Sequence, residues 1–266
     1  MKLNLNFTGK FFACATALVL TSLSAEVQAQ TMKQGNATVY SIRGSAKYSQ
    51  GGGVWVPLKT GTVLKPGATI QTAPESIVDL NLKENGPVVR ITPNTTISLD
   101  KLAFTGTGVE GVTETKLNVQ NGTLIGNVKK LARASKYEIQ TPNGVAGIRG
   151  TDYVVSVKKL PDGTYEVTFT SVTGTLVVAA MVKGVPETVV LNTGESWTPG
   201  SDVTPTPRQL LEFYRDQVAK AINGLPPGYE HAAPPGKQAI EQFVSPNHGV
   251  PGQGNNNGQD QGSLNQ

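Results

Sequence analysis

Short runs of alternating apolar and polar residues, separated by turn residues, constrain this 266-residue chain more than any other feature. The clearest run is 77–82, in which Val78 and Leu80 are apolar while Asp79 and Asn81 are polar. A period of two places successive side chains on opposite faces of a strand, so the run predicts Asp79 and Asn81 on the face opposite Val78 and Leu80, with Asp79 in solvent. Similar runs recur along most of the chain, with turns at a spacing of about ten residues. The pattern predicts β-structure rather than a parallel sheet with helices between its strands.

Three of these strands end in a similar way, with a threonine and a proline within two positions of each other. The three strand ends are residues 70–74, 91–94 and 139–143. Proline cannot donate a hydrogen bond to a neighbouring strand and so marks a strand end. Recurrence at steps of roughly 20 residues is typical of stacked β-coils. We therefore predict an all-β fold, a solenoid-like or rolled β-domain of short strands, with a β-sandwich as the alternative.

The N-terminus has the features of a bacterial export signal. Lys2 and Lys10 provide a positive charge, residues 11–23 form an apolar core, and Val27-Gln28-Ala29 fits the rule for cleavage before Gln30. The apolar core is too short for a membrane span of roughly 20 residues. We predict a signal peptide over residues 1–29 and a periplasmic or secreted protein, with no transmembrane segment after cleavage.

Four segments follow from these patterns and from the composition of the C-terminal part. After the signal peptide we predict a β-domain over 30–200, one helix over 201–224 and a disordered Pro/Gly/Asn/Gln-rich tail over 225–266. In the helix, Thr206 is predicted to cap the first turn, with Pro207 and Gln209 completing the signature. One apolar face is formed by Leu211, Tyr214, Val218, Ala221 and Ile222. This face could dock on the β-domain or bind a partner.

Cysteine and histidine are missing from the part of the sequence that we expect to fold. Cys14 lies in the signal peptide, and His231 and His248 lie in the tail. Their positions exclude Ser-His-Asp and Cys-His catalysis and the usual zinc sites from the β-domain. Carboxylates remain, but no spacing pairs them as a glycosidase requires. We therefore predict no enzyme activity and no catalytic, cofactor-binding or metal-binding residue.

Three further motifs have simple structural interpretations. The Gly-rich run 106–111 matches a dinucleotide fingerprint, but a strand-like sequence follows it instead of the helix that the fingerprint needs. Asn121-Gly122 predicts a hairpin. The basic cluster 129–136 has no interleaved aromatic residues for base stacking, so we interpret it as a solvated connector and expect no nucleic-acid partner.

The stretch 137–157 is the most distinctive of the chain. It reads as a strand, a turn at residues 141–144 and a second strand, with Gly147 and Gly150 on either side of Ile148 and Arg149. Glycines at these positions indicate positive φ angles or a close approach of another strand. Arg149 could fix the turn by binding a carboxylate such as Asp152 or Glu138, or backbone carbonyls; alternatively it could recognise an acidic group of a partner.

This stretch resembles the FecR domain family. The motif consists of a strand ending in Thr-Pro, a glycine- and arginine-containing corner and an aromatic residue in the next strand. Its residues are Thr141, Pro142, Gly147, Ile148, Arg149, Gly150, Thr151 and Tyr153. The run 61–72 is similar to an earlier repeat of the same family, and the likeness extends from about residue 36 to about 197.

The resemblance implies an exported, all-β domain without enzymatic activity. Regulators of this family sit in the inner membrane, sense an outer-membrane transporter and control a sigma factor through a cytoplasmic segment. This chain has a cleavable signal in place of that segment and anchor, so it is similar to a free-standing exported version. Two partners remain open: an envelope protein, or a cell-wall or surface glycan bound through exposed Tyr, Trp and basic residues. The oligomeric state is left open as well.

Overall fold

The computed structural model describes residues 31–86, 88–106, 111–128 and 131–224. The predicted signal peptide with Cys14, most of the Gly-rich run 106–111, and Lys129 with Lys130 of the basic cluster lie outside the described residues. The predicted C-terminal tail, which contains His231 and His248, also lies outside them.

The described residues form eighteen β-strands, one 3₁₀ turn and one α-helix. The strands of the first half are β1 (Lys33–Gln34), β2 (Ala37–Arg43), β3 (Ala46–Gln50), β4 (Val56–Pro57), β5 (Val63–Leu64), β6 (Ala68–Thr72), β7 (Ile77–Asn81), β8 (Val88–Ile91) and β9 (Thr96–Thr105), with the 3₁₀ turn at Lys83–Asn85. Those of the second half are β10 (Val112–Asn127), β11 (Lys136–Thr141), β12 (Gly144–Ile148), β13 (Asp152–Lys159), β14 (Tyr165–Thr173), β15 (Leu176–Val182), β16 (Val185–Leu191), β17 (Glu195–Trp197) and β18 (Thr204–Pro205), followed by α1 (Arg208–Asn223).

These strands build two sheets that share the long strand β10. Sheet A has the order β4-β3-β6-β9-β10-β11-β12-β15-β16, with β1 paired to the end of β9. Sheet B has the order β5-β2-β7-β8-β10-β13-β14-β17-β18. Among the described strands, the pairing of β10 with β11 is parallel and every other pairing is antiparallel. The all-β fold class and the single C-terminal helix predicted from the sequence are confirmed.

The hairpin predicted at Asn121-Gly122 is wrong. Both residues lie within β10, whose first part pairs with β9 and β11 in sheet A and whose last part pairs with β8 and β13 in sheet B. Gly122 has a φ of +91°, and a Cβ there would lie 2.2 Å from the hydroxyl oxygen of Thr95. Glycine is therefore required at this point, and it bends the strand from one sheet into the other without reversing it.

Threonine side chains join this bend to the neighbouring corners. The Thr72 hydroxyl donates to the carbonyl of Thr92 (2.7 Å), and the amide of Thr123 donates to the hydroxyl of Thr95 (3.0 Å). Two of the three Thr-Pro strand ends thus occupy adjacent corners. The third, at Thr141-Pro142, forms the turn between β11 and β12. The pairings do not establish a coil-by-coil repeat, so the solenoid arrangement stays a prediction.

One apolar core fills the space between the sheets. Its largest fully buried side chains are Tyr137, Tyr153, Phe169 and Trp197. The Phe169 and Trp197 rings stack with their centroids 6.5 Å apart. In both sheets, every second side chain along a strand points into this core, as the period-two pattern predicts.

The helix α1 packs on the outer face of sheet B. Val218 contacts Ile125, Val154 and Val172 there in a second apolar cluster, and Leu211, Tyr214 and Ile222 pack around it. The predicted apolar face of the helix is therefore the face that docks. Asp216 and Lys220, one turn apart on the helix, form an ion pair at 2.6 Å.

The start of α1 differs from the sequence prediction. Pro207 occupies the N-cap position without a side-chain hydrogen bond, and the helix begins at Arg208. The Thr206 hydroxyl is 2.7 Å from that of Ser196 and therefore does not cap the helix. The capping box with Gln209 is wrong because Thr206 continues from β18 along the sheet, where its amide donates to the carbonyl of Gly194 (2.7 Å).

Candidate interaction surface

The two sheets bury their outer faces differently. In sheet A, β6 alternates between buried and half-buried residues along its whole length. In sheet B, all four residues of β8 and the last four of β10 are buried. Helix α1 accounts for the difference, because it covers sheet B and leaves sheet A exposed to solvent. The outer face of sheet A is consequently the accessible face.

The middle of the sequence motif forms a buried corner between the sheets. Ile148 and Tyr153 are fully buried, at the end of β12 and in β13 respectively. Between them, Gly150 has a φ of +61°, a conformation that favours glycine. The Thr151 hydroxyl donates to the carbonyls of Arg149 (3.1 Å) and Thr175 (2.8 Å), which joins this corner to the next one.

Arg149 binds main-chain carbonyls across the corner. Its guanidinium donates to the carbonyl of Leu131 at 2.8 Å and to that of Arg133 at 3.4 Å. Partial burial lowers the pKa of Arg149, and the nearby charge of Arg133 lowers it further. Asp152, one of the carboxylates predicted as its partner, instead accepts hydrogen bonds from Asn127 and Thr173. The sequence left two structural partners open for Arg149, a carboxylate or backbone carbonyls. The hydrogen bonds to Leu131 and Arg133 are of the second kind.

Tyr153 meets Tyr137 across the core. Their hydroxyl oxygens are 3.1 Å apart, and the rings form an edge-to-face pair with centroids 6.1 Å apart. Burial raises the pKa of both phenols, so both stay protonated in the folded protein at alkaline pH values at which an exposed tyrosine ionises. A Cβ at Gly126 would lie 2.3 Å from the Tyr153 ring, which explains why a glycine stands near the end of β10. These tyrosines are structural and are not accessible to a ligand.

The beginning of the motif, in contrast, lies on the accessible face of sheet A. Thr141 and Pro142 line a groove of about 1080 Å³, here called the sheet A groove. The Thr141 hydroxyl donates to the carbonyl of Gly144 (2.8 Å) and accepts from its amide (3.1 Å), which fixes the turn at this end of the groove. The other lining residues are Asn118, Gln140, Asn143, Gly144, Val145, Ala179, Ala180, Met181, Val185, Pro186, Glu187 and Thr188. Of the eight motif residues, the structure brings these two to the groove and places the rest in or around the buried corner.

The far wall of the groove is formed by the edge of sheet A. Among the described strands, β16 pairs with β15 alone, so its outer main-chain groups have no strand partner there. Val185, the first residue of β16, is 64% exposed, and Met181 in the neighbouring strand β15 is 58% exposed. At seven residues, β16 is longer than β4, β5 and β18, the two-residue strands at the other sheet ends. Sequence reasoning missed this hairpin; its signal was the Lys183-Gly184 turn between apolar residues.

A buried ion pair lies beneath α1 on the opposite side. The Arg90 guanidinium binds both carboxylate oxygens of Asp79 (2.7 and 2.9 Å) and donates to the side-chain oxygen of Gln217 on the helix (2.9 Å). Asp79 and Arg90 are 3% and 4% exposed. Burial acts to lower the pKa of Arg90, but the hydrogen bond and charge of Asp79 outweigh it and raise that pKa.

This arrangement corrects one sequence prediction. Asp79 was expected on a solvent face because it alternates with core residues. It does point away from the core, but the helix and Arg90 cover it. The alternation located the face correctly and could not show that a helix from the other end of the chain lies on it.

The described residues provide no conventional site for a metal ion. No group of three or more His, Cys, Asp or Glu among them is arranged to hold one.

Asp162 accepts hydrogen bonds from Thr164, and these lower the pKa of its carboxyl, as expected for a turn residue. The one helix in the described part of the chain is not long and apolar enough to cross a membrane.

Comparison with known proteins gives one informative match. Residues 68–173 match the model of the FecR family, described as FecR protein. No curated protein matches the chain. Two crystal structures of a candidate anti-sigma factor from Parabacteroides distasonis, at 12% identity, give TM-scores of 0.42 and 0.41.

The likeness to those two structures is limited. It covers 55% of this chain, and the chain spans 63% and 64% of theirs, less than two thirds in each case. TM-scores below 0.5 do not establish a shared fold, so they carry no weight for function. The family match, in contrast, covers β6 to β14 and all eight motif residues, and it confirms the resemblance seen in the sequence. Residues 68–173 are therefore the part of the chain that is similar to the FecR family.

Proposed function

We propose that this chain is an exported, non-enzymatic FecR-type β-domain that acts as a protein-interaction or signalling module of the bacterial envelope. The observation that carries the proposal is the sheet A groove, which begins at the Thr-Pro turn of the motif and ends at the unpaired edge strand β16. The FecR domain supports a regulatory role rather than a catalytic one. Export rests on the N-terminal sequence pattern.

The groove has the features of a site for an extended segment of a partner protein. An unpaired strand edge offers main-chain donors and acceptors to an added strand, and pockets beside it select alternate side chains. Met181 and Val185 provide exposed apolar contacts next to that edge. Pro186 lacks an amide hydrogen, so we expect the added strand to pair with the following residues, Glu187 to Leu191.

The composition of the groove also favours binding over catalysis. Glu187 is the single carboxylate among its described lining residues. A glycosidase needs two carboxylates facing each other across the bond that is cleaved. A groove with one acid and several apolar side chains fits the recognition of a polypeptide better than hydrolysis of a glycan.

The test is a pull-down from the native envelope with matched variants. The groove variant Met181→Lys/Val185→Lys introduces two charges at the groove wall. The control Val203→Lys/Phe213→Lys introduces the same charges at exposed apolar residues near and on α1. We expect an envelope protein to be retained by the wild type and the control and lost by the groove variant.

Two outcomes would contradict the proposal. One is equal retention of all bound proteins by the groove variant and the control. The other is saturable retention of the chain on cell-wall or polysaccharide fractions with no bound protein, which would assign the domain to glycan binding instead.

A further inference from the structure

A loop far from the motif combines exposed apolar side chains with positive charge. Residues 51–57, which form the loop after β3 and the two-residue strand β4, are all exposed. At the tip, Val54, Trp55 and Val56 are 84%, 43% and 38% exposed. We call these three side chains with Lys47, Lys59 and Lys65 the tryptophan loop surface. Trp197, the second tryptophan of the chain, is buried in the core, so the exposure of Trp55 is not general to this residue type here.

The base of this loop is fixed while its tip projects. The amide of Gly51 donates to the carbonyl of Gly67 (2.9 Å), and the Ser49 hydroxyl donates to the carbonyl of Gly53 (2.7 Å). A Cβ at Gly51 or Gly52 would meet nothing within 4 Å. Val54 and Trp55 follow this fixed base and Val56 begins β4, and because all three side chains are exposed they gain little from the core.

The charges around the tip are mostly positive. Between residues 31 and 74 the sequence contains five Lys and Arg and neither Asp nor Glu. The Lys47 ammonium lies 5.1 Å from the centre of the Trp55 ring. The side chain of Gln50 donates to the carbonyl of Pro66 (2.9 Å), which brings the turn containing Lys65 next to the loop. One acid lies close to that turn: the amide of Gly67 donates to the carbonyl of Leu99 (2.7 Å), and Asp100 is the next residue.

We propose that the tryptophan loop surface binds the anionic surface of a phospholipid bilayer, with the apolar tip inserted among the head groups. Tryptophan prefers the boundary between head groups and acyl chains because its ring is apolar and its N–H is polar. Lysines beside an inserted tip add electrostatic attraction to anionic lipids. The charge complementarity selects an anionic bilayer over a neutral one.

Size favours a bilayer over an acidic protein partner. A specific protein interface buries roughly 800 Å² on each partner, with a packed apolar centre. Three projecting side chains on a narrow loop give much less than that. A bilayer requires no matching pocket, since the head-group region adapts to the inserted side chains. This proposal is independent of the sheet A groove, which lies elsewhere on the domain.

The test measures sedimentation of the full chain with vesicles. Phosphatidylcholine vesicles containing phosphatidylglycerol should retain the protein at low salt, and pure phosphatidylcholine vesicles should retain much less. Trp55→Ser should weaken binding roughly tenfold through lost apolar burial. Lys47→Gln/Lys65→Gln should weaken it about fivefold per lysine and reduce its dependence on salt.

Matched controls separate this surface from general stickiness. Phe213→Ser removes an equally exposed aromatic residue on α1, and Lys158→Gln/Lys159→Gln removes two exposed lysines from β13. Both should bind vesicles as the wild type does. A blue shift of tryptophan fluorescence on binding should come from Trp55, because Trp197 is already buried.

Three results would overturn the proposal. The first is no binding of the wild type to anionic vesicles, and the second is binding that Trp55→Ser leaves unchanged. The third is retention on an immobilised acidic protein but not on vesicles, which would assign the surface to a protein partner. Because the substituted side chains are exposed, unchanged urea unfolding would show that any lost binding is not due to misfolding.

Discussion

The outer faces of sheet A and sheet B are both formed by β-strands, but α1 covers the face of sheet B and leaves that of sheet A open. On sheet B, α1 buries Ile125, Val154 and Val172 and covers the Asp79–Arg90 pair. On sheet A, the corresponding side carries the groove and the edge of β16. The chain thus uses its one described helix to close one face and leaves the other open.

The difference shows how two faces of one fold can serve stability and binding separately. A covered face with a buried ion pair tolerates few changes, because removal of one partner leaves a buried charge. An open face with exposed side chains tolerates substitution, since those side chains do not contribute to the core. Substitutions on the covered face should therefore reduce stability most, and substitutions on the open face least.

The largest effect is expected from the covered face. Arg90→Leu leaves the Asp79 carboxylate buried without its cation, so we expect the free energy of unfolding to fall by about 3–5 kcal/mol in urea titrations. The double variant Asp79→Leu/Arg90→Leu should recover most of this loss. Lys101→Leu, which breaks the exposed ion pair with Glu114, should change it by about 1 kcal/mol or less. Equal losses for Arg90→Leu and Lys101→Leu would contradict this account.

A smaller effect is expected at the corner that joins the two sheets. Arg149→Lys keeps the charge but cannot reach both carbonyls, of Leu131 and Arg133, as a guanidinium does. If Arg149 holds the corner, the free energy of unfolding should fall by about 1–3 kcal/mol, since charge-assisted hydrogen bonds are lost. Unchanged thermal stability together with lost partner binding would show that Arg149 recognises a partner instead.

The C-terminal end of α1 gives a prediction with a pH dependence. The Tyr40 hydroxyl donates to the carbonyl of Ala221, one of the last carbonyls of the helix. Burial, and next the charge of Asp79, raise the pKa of Tyr40 well above its ordinary value near 10. Above about pH 10 the unfolded chain therefore loses this proton and the folded protein does not, so stability falls as pH rises through this range.

Tyr40→Phe isolates this contribution. At neutral pH the variant should lose about 1 kcal/mol with the hydrogen bond. Between pH 9 and 11 it should lose less stability than the wild type, in which Tyr40 adds to the effect of the buried pair Tyr137 and Tyr153. A steeper alkaline loss in Tyr40→Phe than in the wild type would contradict the assigned burial.

The smallest effect on stability is expected from the open face. Met181→Lys/Val185→Lys changes two exposed side chains, so the free energy of unfolding should stay within about 0.5 kcal/mol of the wild type in the same urea titrations. A loss comparable to that of Arg90→Leu would mean that the groove wall is part of the folding core and not a free binding face.

The sequence predicted the elements whose information is local. Alternation identified the strands and the inward-facing residues, and the apolar face of α1 was read correctly from Leu211 to Ile222. The resemblance was carried by a motif in which Gly150 needs its positive φ and Ile148 and Tyr153 fill the core. Such requirements are visible in residue types because each acts within a few positions along the chain.

What the sequence could not predict depends on contacts between distant segments. Asn121-Gly122 has the composition of a hairpin, but the long β10 ladder and Thr95 turn it into a bend. Asp79 was placed in solvent because Gln217, which helps to cover it, is 138 residues away along the chain. The groove depends on β16 being the last strand of sheet A, which is a property of strand order and not of any segment.

Photo-cross-linking in the native envelope can measure directly whether a partner binds the open face and not the covered face. A photoreactive amino acid would replace Thr188 at the groove in one variant and Phe213 on the outer side of α1 in another. Both residues are exposed, so neither substitution should disturb the fold. We predict a discrete protein adduct from Thr188 and none from Phe213. An adduct from Phe213 with none from Thr188 would contradict the claim.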